Sequence, residues 1–266
     1  MGISAQAPWL NFYGDMPKHL DYPRLTIYQI VRQTAREHPQ QVAYEFMNKE
    51  TTYAQFMERI DRVAKALVAL GIKKGDRVTI CMPNSPQALD TFYALNRIGA
   101  LSNMIHPLSA PAEIAFYLNF SHSKAILTLD QFYPKINEIR DRLENPVKVI
   151  IAFVKDELPA PINLIYPMTK SARKVPKLPK DGDYIRWRDF LRGGEKIKEL
   201  PPDSVMTSTA RFFSFFDSPM TKVSAPWAVV VPSVELQWIE MNTSALLRLA
   251  MAARSLSSTN LSESLV

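Results

Sequence analysis

Glycine is scarce in this chain. The 266 residues contain 8, about 3% against a usual share near 7%. All eight lie at or before Gly194, residues 201–266 hold none, and Gly193-Gly194 is the one adjacent pair. A Walker phosphate loop and a complete dinucleotide-binding fingerprint both need glycines at fixed offsets, so neither is expected. Collagen-like and glycine-linker compositions are excluded as well. Cysteine is scarcer still. The single Cys81 excludes an internal disulfide framework and a four-cysteine zinc site. Long apolar runs are also lacking. A spanning helix needs about 18 such residues, and the nearest stretch, Ala245 to Ala253, is short and carries Arg248. The opening residues, Met1 to Gln6, show no basic segment leading into an apolar one. Gln6 also breaks the myristoylation pattern. A reduced, cytoplasmic setting is the expectation these absences leave.

What is present is enough for a core: 47% of residues are hydrophobic and 22% charged. The length suits one or two domains. The net charge of +6 is uneven, with +7 in residues 1–200 and −1 in residues 201–266. Between Lys170 and Glu199 there are 10 basic and 5 acidic side chains. No stacking-aromatic or zinc motif accompanies this charge, so nucleic acid is not an expected partner.

The chain reads as alternating strands and helices. Residues 1–24 read as an irregular arm interrupted by Pro8, Pro17 and Pro23. A helix is predicted over Ile27 to Glu37, with Ile27, Ile30, Val31 and Thr34 on one face, and Pro39 stops it. Val42 to Phe46 alternates like a strand, Asn48 marks a turn, and Thr51-Thr52 returns. Tyr53, Phe56, Met57, Ile60, Val63, Ala64, Leu67 and Leu70 then recur at helical spacing, and Gly71 closes that helix. Strands are predicted at Arg77 to Met82, Leu101 to Ile105, Lys124 to Leu129 and Val147 to Val154, about every 23 residues. Helices from Pro86 to Ile98, Pro111 to Phe120 and Phe132 to Leu143 connect them. Such spacing implies right-handed crossovers and an α/β fold, a mainly parallel sheet with helices on both faces. Five prolines break up residues 155–183, and Asp183 to Leu191 suits a short helix or strand carrying Trp187. Beyond, serine rises from 7 in residues 1–200 to 12 in residues 201–266. Arg211 to Phe216 holds four phenylalanines, and Ser255 to Ser264 reads as a disordered end.

The stretch from Leu25 to about Phe153 resembles the N-terminal part of the adenylate-forming, AMP-dependent acyl-CoA synthetases. The resemblance rests on Thr51-Thr52-Tyr53-Ala54-Gln55-Phe56, on Gly71-Ile72-Lys73-Lys74-Gly75-Asp76-Arg77-Val78, and on Met82-Pro83-Asn84-Ser85-Pro86. It continues through Ala94 to Ala100, Asn103, His106-Pro107-Leu108 and Ala112-Glu113-Ile114. Order and spacing together carry it, and medium- or long-chain fatty-acid ligases are the most similar branch. The resemblance is weak from there to about Pro202 and absent beyond. It implies an incomplete N-terminal subdomain, with an arm over 1–24, an α/β core over 25–154, a Pro-rich basic insertion or linker over 155–202, and a Ser-rich tail over 203–266. A complete member uses ATP and magnesium to adenylate a carboxylate, then moves the acyl group to CoA. Its Ser/Thr-Gly-rich phosphate loop would fall in Asp203 to Val223, where this chain has no glycine. The later adenine, ribose and lid motifs are missing too. The resemblance therefore implies a chain cut before its phosphate loop, with a foreign or out-of-frame tail, inactive alone. It brings no catalytic, cofactor-binding or metal residue to this chain, and ATP, Mg, CoA and a fatty acid would serve only a complete enzyme.

The matched motifs themselves follow turn and cap rules, so their chemistry is structural. His19, His38, His106 and His122 are scattered without metal-ligand spacing. His106 reads as a strand-end hydrogen-bonder, Cys81 as a small apolar residue, and Glu58 and Asp61 as a solvated helix face. The Lys170, Arg173, Lys174, Lys177 and Lys180 stretch stays open between a solvated loop and a contact for an anionic membrane surface. The incomplete geometry would also leave apolar surface exposed, or covered by the tail or a second copy. Two other readings stand beside the ligase one. The first is a non-catalytic binding or interaction module, using the basic loop and the Phe212 to Phe216 patch. The second is an unrelated nucleotide-binding α/β protein.

Overall fold

A computed structural model describes residues 25–159, 161–169, 175–179 and 182–203, together with Phe12, Gly14 and Asp15. The first helix, α1, is Ile27–Glu37. Its capping box is reciprocal: the Gln29 N–H donates to Thr26 Oγ1, and the Thr26 N–H donates to Gln29 Oε1. The same device opens α2, Tyr53–Ala69, with Thr52 and Gln55. Between them β1, Val42–Phe46, pairs antiparallel with β2, Lys49–Thr52. Their turn residues Met47 and Asn48 both have positive φ, 53° and 63°, the conformation a right-twisted two-residue hairpin requires.

The predicted alternation is present. β3 is Arg77–Cys81, α3 Pro86–Ile98, β4 Leu101–Met104, α4 Pro111–Ser121, β5 Ala125–Leu129 and β6 Lys148–Ala152. Ser85 caps α3, and Gly99 ends it at φ 76°. The sheet is parallel and gains a fifth strand, β7, Ile185–Arg186, in the order β4-β3-β5-β6-β7. A last helix, α7, Trp187–Gly194, follows. A one-turn helix, α6, Ile162–Ile165, precedes β7.

Strand residues alternate between two cores. Val78, Ile80, Ala125, Leu127, Leu129, Ile150 and Ala152 face α1, α2, α3 and α7. Cys81, Ile126, Val149 and Ile151 face α4 and α5, the latter being Tyr133–Glu138. Helices therefore cover both faces, as the apolar strands require. Trp187 and Phe190 are buried in the first core, so part of the 155–202 stretch builds it. Arg97 Nη1 donates to the Pro201 carbonyl at 2.9 Å and pairs with Asp203 at 3.0 Å, while Arg32 also pairs with Asp203.

Three local expectations need correction. The inner face of α1 is Tyr28, Val31 and Ala35, and Ile30 is exposed. The Tyr28 ring turns inward and takes the Arg97 guanidinium at 5.4 Å, while its backbone N–H donates to Asn96 Oδ1 at 2.9 Å. The third predicted helix, Phe132 to Leu143, is broken. Tight turns at Asp130–Phe132 and Arg140–Arg142 flank the short α5. Spacings of three and four, as in Ile136, Ile139 and Leu143, suit both helix types, so periodicity could not separate them. Asp61 is half-buried rather than solvated. Burial raises its pKa, opposed by Arg97 and Lys65. Glu58 is exposed as expected.

Candidate functional site

In a parallel α/β sheet, ligands bind outside the carboxyl ends of the strands, where the strand order reverses. Here that point lies between β3 and β5, since the chain runs from β3 out to β4 and back past β3. The turn after β3 is Met82-Pro83-Asn84-Ser85, His106 follows β4, and Asp130 follows β5.

The floor of this edge is fully bonded. Thr128 Oγ1 donates to the Cys81 carbonyl at 2.8 Å. Burial pushes the Cys81 thiol up to about 12, which disfavours the thiolate. His106 Nδ1 accepts the Leu108 N–H at 3.2 Å, which bears out its strand-end role. Lys135 Nζ donates to the carbonyls of Pro107 and Ser109 at 3.3 and 3.1 Å. Asp130 accepts the Gln131 N–H at 2.9 Å, and burial lifts its carboxyl to about 6.

Beside this edge lies an ionic group that the sequence did not single out. Arg59 of α2 reaches Asp90 of α3 and Glu157 in the segment after β6. Its Nε donates to Asp90 Oδ2 and its Nη2 to Glu157 Oε1, both at 2.8 Å. Asp90 is 1% exposed and Glu157 7%. Asp90 Oδ1 and Thr91 Oγ1 are buried without a hydrogen-bond partner among the described residues. Burial raises the Asp90 pKa to about 7, with Arg59 opposing and Glu157 adding. Arg59 is held in its charged form, because the two carboxylates outweigh its own desolvation. The pattern held one signal: Asp90 lies four residues before Ala94, and Arg59 three after Phe56, both on buried helix faces. Nothing local pointed to Glu157, 98 residues from Arg59.

A pH prediction follows from the sign of this shift. Folded Asp90 titrates near 7 and the ordinary value is 3.8, so the folded state holds a proton that the unfolded chain releases. The contribution is present in full below about pH 4 and lost as pH rises through about 7. Asp90→Asn is expected to gain stability relative to the parent between those limits. Urea midpoints measured across that range check it, and two parallel curves would refute it.

The described residues do not make a triphosphate cradle. Pro83 and Pro86 remove two N–H donors from the β3–α3 turn, and Ser85 Oγ takes the Ala88 N–H at 3.3 Å. The nearby cations are engaged: Arg59 as above, Lys135 by carbonyls, and Arg188 with Asp156 at 2.9 Å. Among the described residues no group of His, Cys, Asp or Glu is placed to hold a metal ion, and no helix is long and apolar enough to cross a membrane. Of the basic stretch, Lys177 is described and exposed. Lys170, Arg173, Lys174 and Lys180 lie outside the described residues, as does the Phe212 to Phe216 patch.

A doubly covered parallel sheet with this strand order is one of the common nucleotide-handling architectures, and comparison narrows it. The chain belongs to the AMP-binding enzyme family, whose pattern matches residues 31–206. It is 31% identical over 172 residues to a long-chain-fatty-acid–CoA ligase of Bacillus subtilis, covering 64% of this chain and 30% of that one. A long-chain-fatty-acid–CoA ligase of Escherichia coli O6:H1 is 29% identical over 206 residues, covering 74% and 36%. The chain thus spans about a third of the length of these curated relatives, over their N-terminal part. Two solved structures share the fold. An anthranilate CoA ligase in complex with anthranoyl-AMP superposes with a TM-score of 0.53 at 18% identity, covering 70% of this chain and 31% of that one. A protein from Rhodopseudomonas palustris, described as a long-chain-fatty-acid CoA ligase, gives 0.52 at 17%, covering 68% and 39%. The α/β body is accordingly that of an N-terminal subdomain of the adenylate-forming ligases.

Proposed function

We propose that residues 25–203 are the N-terminal scaffold of a fatty-acid–CoA ligase, and that these 266 residues alone do not carry out its reaction. The observation that carries this is the pairing of a complete set of N-terminal motifs with a glycine-free stretch where the phosphate loop is due. ATP, Mg and CoA serve the complete enzyme, in a cytoplasmic setting at a membrane surface, where a fatty acid partitions. The division into 1–24, 25–154, 155–202 and 203–266 is part of this proposal, with β7 and α7 of the 155–202 stretch joined to the 25–154 core. The purified chain, given ATP, Mg, palmitate and CoA, is expected to release no pyrophosphate and form no thioester above background. ATP-dependent thioester would overturn the reading. Glycine-rich family motifs in another reading frame after codon 202 would explain the tail.

The second reading is a non-catalytic interaction module. Exposed Phe116 and Phe120, stacked on each other on α4, favour it. A monodisperse chain that captures one defined partner through these rings would support it, and aggregation of the chain would count against it.

A further inference from the structure

We propose that Arg32 of α1 and Arg97 of α3 form a carboxylate-binding clamp, which the chain fills with its own Asp203 and so latches the segment after α7 to the body. The clamp stands whether or not the ligase reading does.

Arg32 and Arg97 lie on different helices and share two partners. The first is the buried Tyr28 ring: the guanidinium carbon of Arg32 lies 5.7 Å from its centroid and that of Arg97 5.4 Å. The second is the Asp203 carboxylate, and each arginine takes one of its oxygens. Arg97 Nη1 is 3.0 Å from Oδ1, and Arg32 Nη1 pairs with Oδ2. The side chains are 12% exposed at Arg97, 18% at Asp203 and 32% at Arg32, so the group is partly withdrawn from water. Charge-assisted bonds of this kind are about twice as strong as neutral ones.

Two cations on one ring repel each other, and more strongly as water is excluded. Asp61 of α2 offsets this only in part: its Oδ1 is 4.0 Å from Arg97 Nε, and its side chain is half exposed. That leaves a place for one further anion between the guanidiniums. A carboxylate fits, because it offers one oxygen to each.

The latch follows from how little else holds this segment. α7 ends at Gly194, and the Ile197 N–H donates to the Gly194 carbonyl at 3.0 Å. Beyond Ile197, no backbone–backbone hydrogen bond ties the segment down among the described residues. Pro201 and Pro202 have no N–H to offer. Leu200 packs against the first core, and the rest of the hold is ionic. Arg97 Nη1 also donates to the Pro201 carbonyl at 2.9 Å, so one guanidinium holds backbone and side chain two residues apart. Arg97 lies in the last turn of α3, which leads into β4. The clamp is therefore toward the amino ends of the strands, and it secures the segment without covering the carboxyl edge. On the ligase reading, Asp203 opens the stretch where the phosphate loop is due, and the clamp fixes the point from which that stretch departs.

The tests use the whole chain. Trypsin cleavage after Lys198, followed by mass spectrometry, reads the latch. Asp203→Ala should be cut there about tenfold faster than the parent or more, with Asp203→Glu between the two and the far-UV spectrum unchanged. Thermal unfolding in acetate reads the clamp itself. Acetate at about 100 mM should raise the melting temperature of Asp203→Ala by about 2–4 °C over equal chloride. It should leave the parent unmoved, because Asp203 fills the clamp. Acetamide, of the same shape without the charge, should do nothing, and Arg32→Met/Arg97→Met/Asp203→Ala should lose the acetate shift. If Asp203→Ala is cut like the parent, the latch is overturned. If it is cut faster but acetate moves it no more than chloride does, Asp203 holds by packing and the carboxylate clamp is overturned. Inorganic phosphate shifting the variant where acetate does not would overturn the carboxylate assignment as well.

Discussion

Arg59→Met should destabilise the body by about 3–5 kcal/mol at pH 7, measured as the shift in urea unfolding, while Arg62→Met on the exposed side of the same helix should change it by under about 0.5 kcal/mol. The asymmetry comes from what each side chain leaves behind. Arg59 is the partner of two carboxylates, 2.7 Å from Asp90 and 2.8 Å from Glu157. Removing it leaves both carboxylates in a nearly dry site, and taking an ion from water costs several kcal/mol unless a partner repays it. The attraction alone is not the measure, because the assembled group also carries a desolvation cost. Hence Arg59→Met/Asp90→Leu/Glu157→Met should recover most of the loss, since a well-packed apolar replacement is often neutral. The loss for Arg59→Met should shrink toward pH 5. Without the guanidinium, which opposes the rise, the Asp90 pKa climbs further, and stability from such a group is lost as pH rises. A loss equal at pH 5 and pH 8 would show that Arg59 acts through packing rather than charge.

This group also shows where reading the sequence stops. Elements built from local rules were legible. Thr26 with Gln29, Thr52 with Gln55, Ser85 before Pro86, and Gly99 after Ile98 each announce a helix end through atoms within a few residues. β3, β5 and β6 were legible because burial on both faces leaves mostly apolar runs, and the edge strand β4, Leu101–Met104, was legible by its spacing among them. The fifth strand was legible in part: Asp183 to Leu191 suited a short helix or a strand and holds both, but Ile185–Arg186 has two residues and derives its strand character from pairing with Ile150 and Ile151. Asn48 was visible as a turn residue. Met47 was not, because a positive φ at methionine is imposed by the hairpin and not preferred by the side chain. The site divides the same way. His106 and Cys81 behave as their positions suggested. Arg59 and Glu157 meet only once α2, α3 and the end of β6 are assembled, and that long-range closure leaves no local mark.

Gly194→Ala and Gly193→Ala should have opposite effects, although the two glycines are neighbours in one helix. A Cβ at Gly194 would stand 2.6 Å from the Ala66 nitrogen, 2.8 Å from the Ala66 Cα and 2.9 Å from the Lys65 carbonyl carbon. All three are backbone atoms of α2, so no side chain can swing away, and α7 must move off the helix it packs against. A Cβ at Gly193 would meet nothing within 4 Å. Alanine there removes the entropic cost of a helical glycine, up to about 1 kcal/mol. Overpacking costs about 1–3 kcal/mol, so thermal unfolding should separate the two variants by about 2–4 kcal/mol. Trp187 and Phe190 sit on the same helix in the same core, so tryptophan emission of Gly194→Ala should shift toward that of an exposed indole. Equal stability of the two variants would mean that α7 does not lie against α2. Scarcity therefore has a positive side: in a chain with so few glycines, the adjacent pair serves the close crossing of two helices, at Gly194 alone, and no phosphate-binding turn.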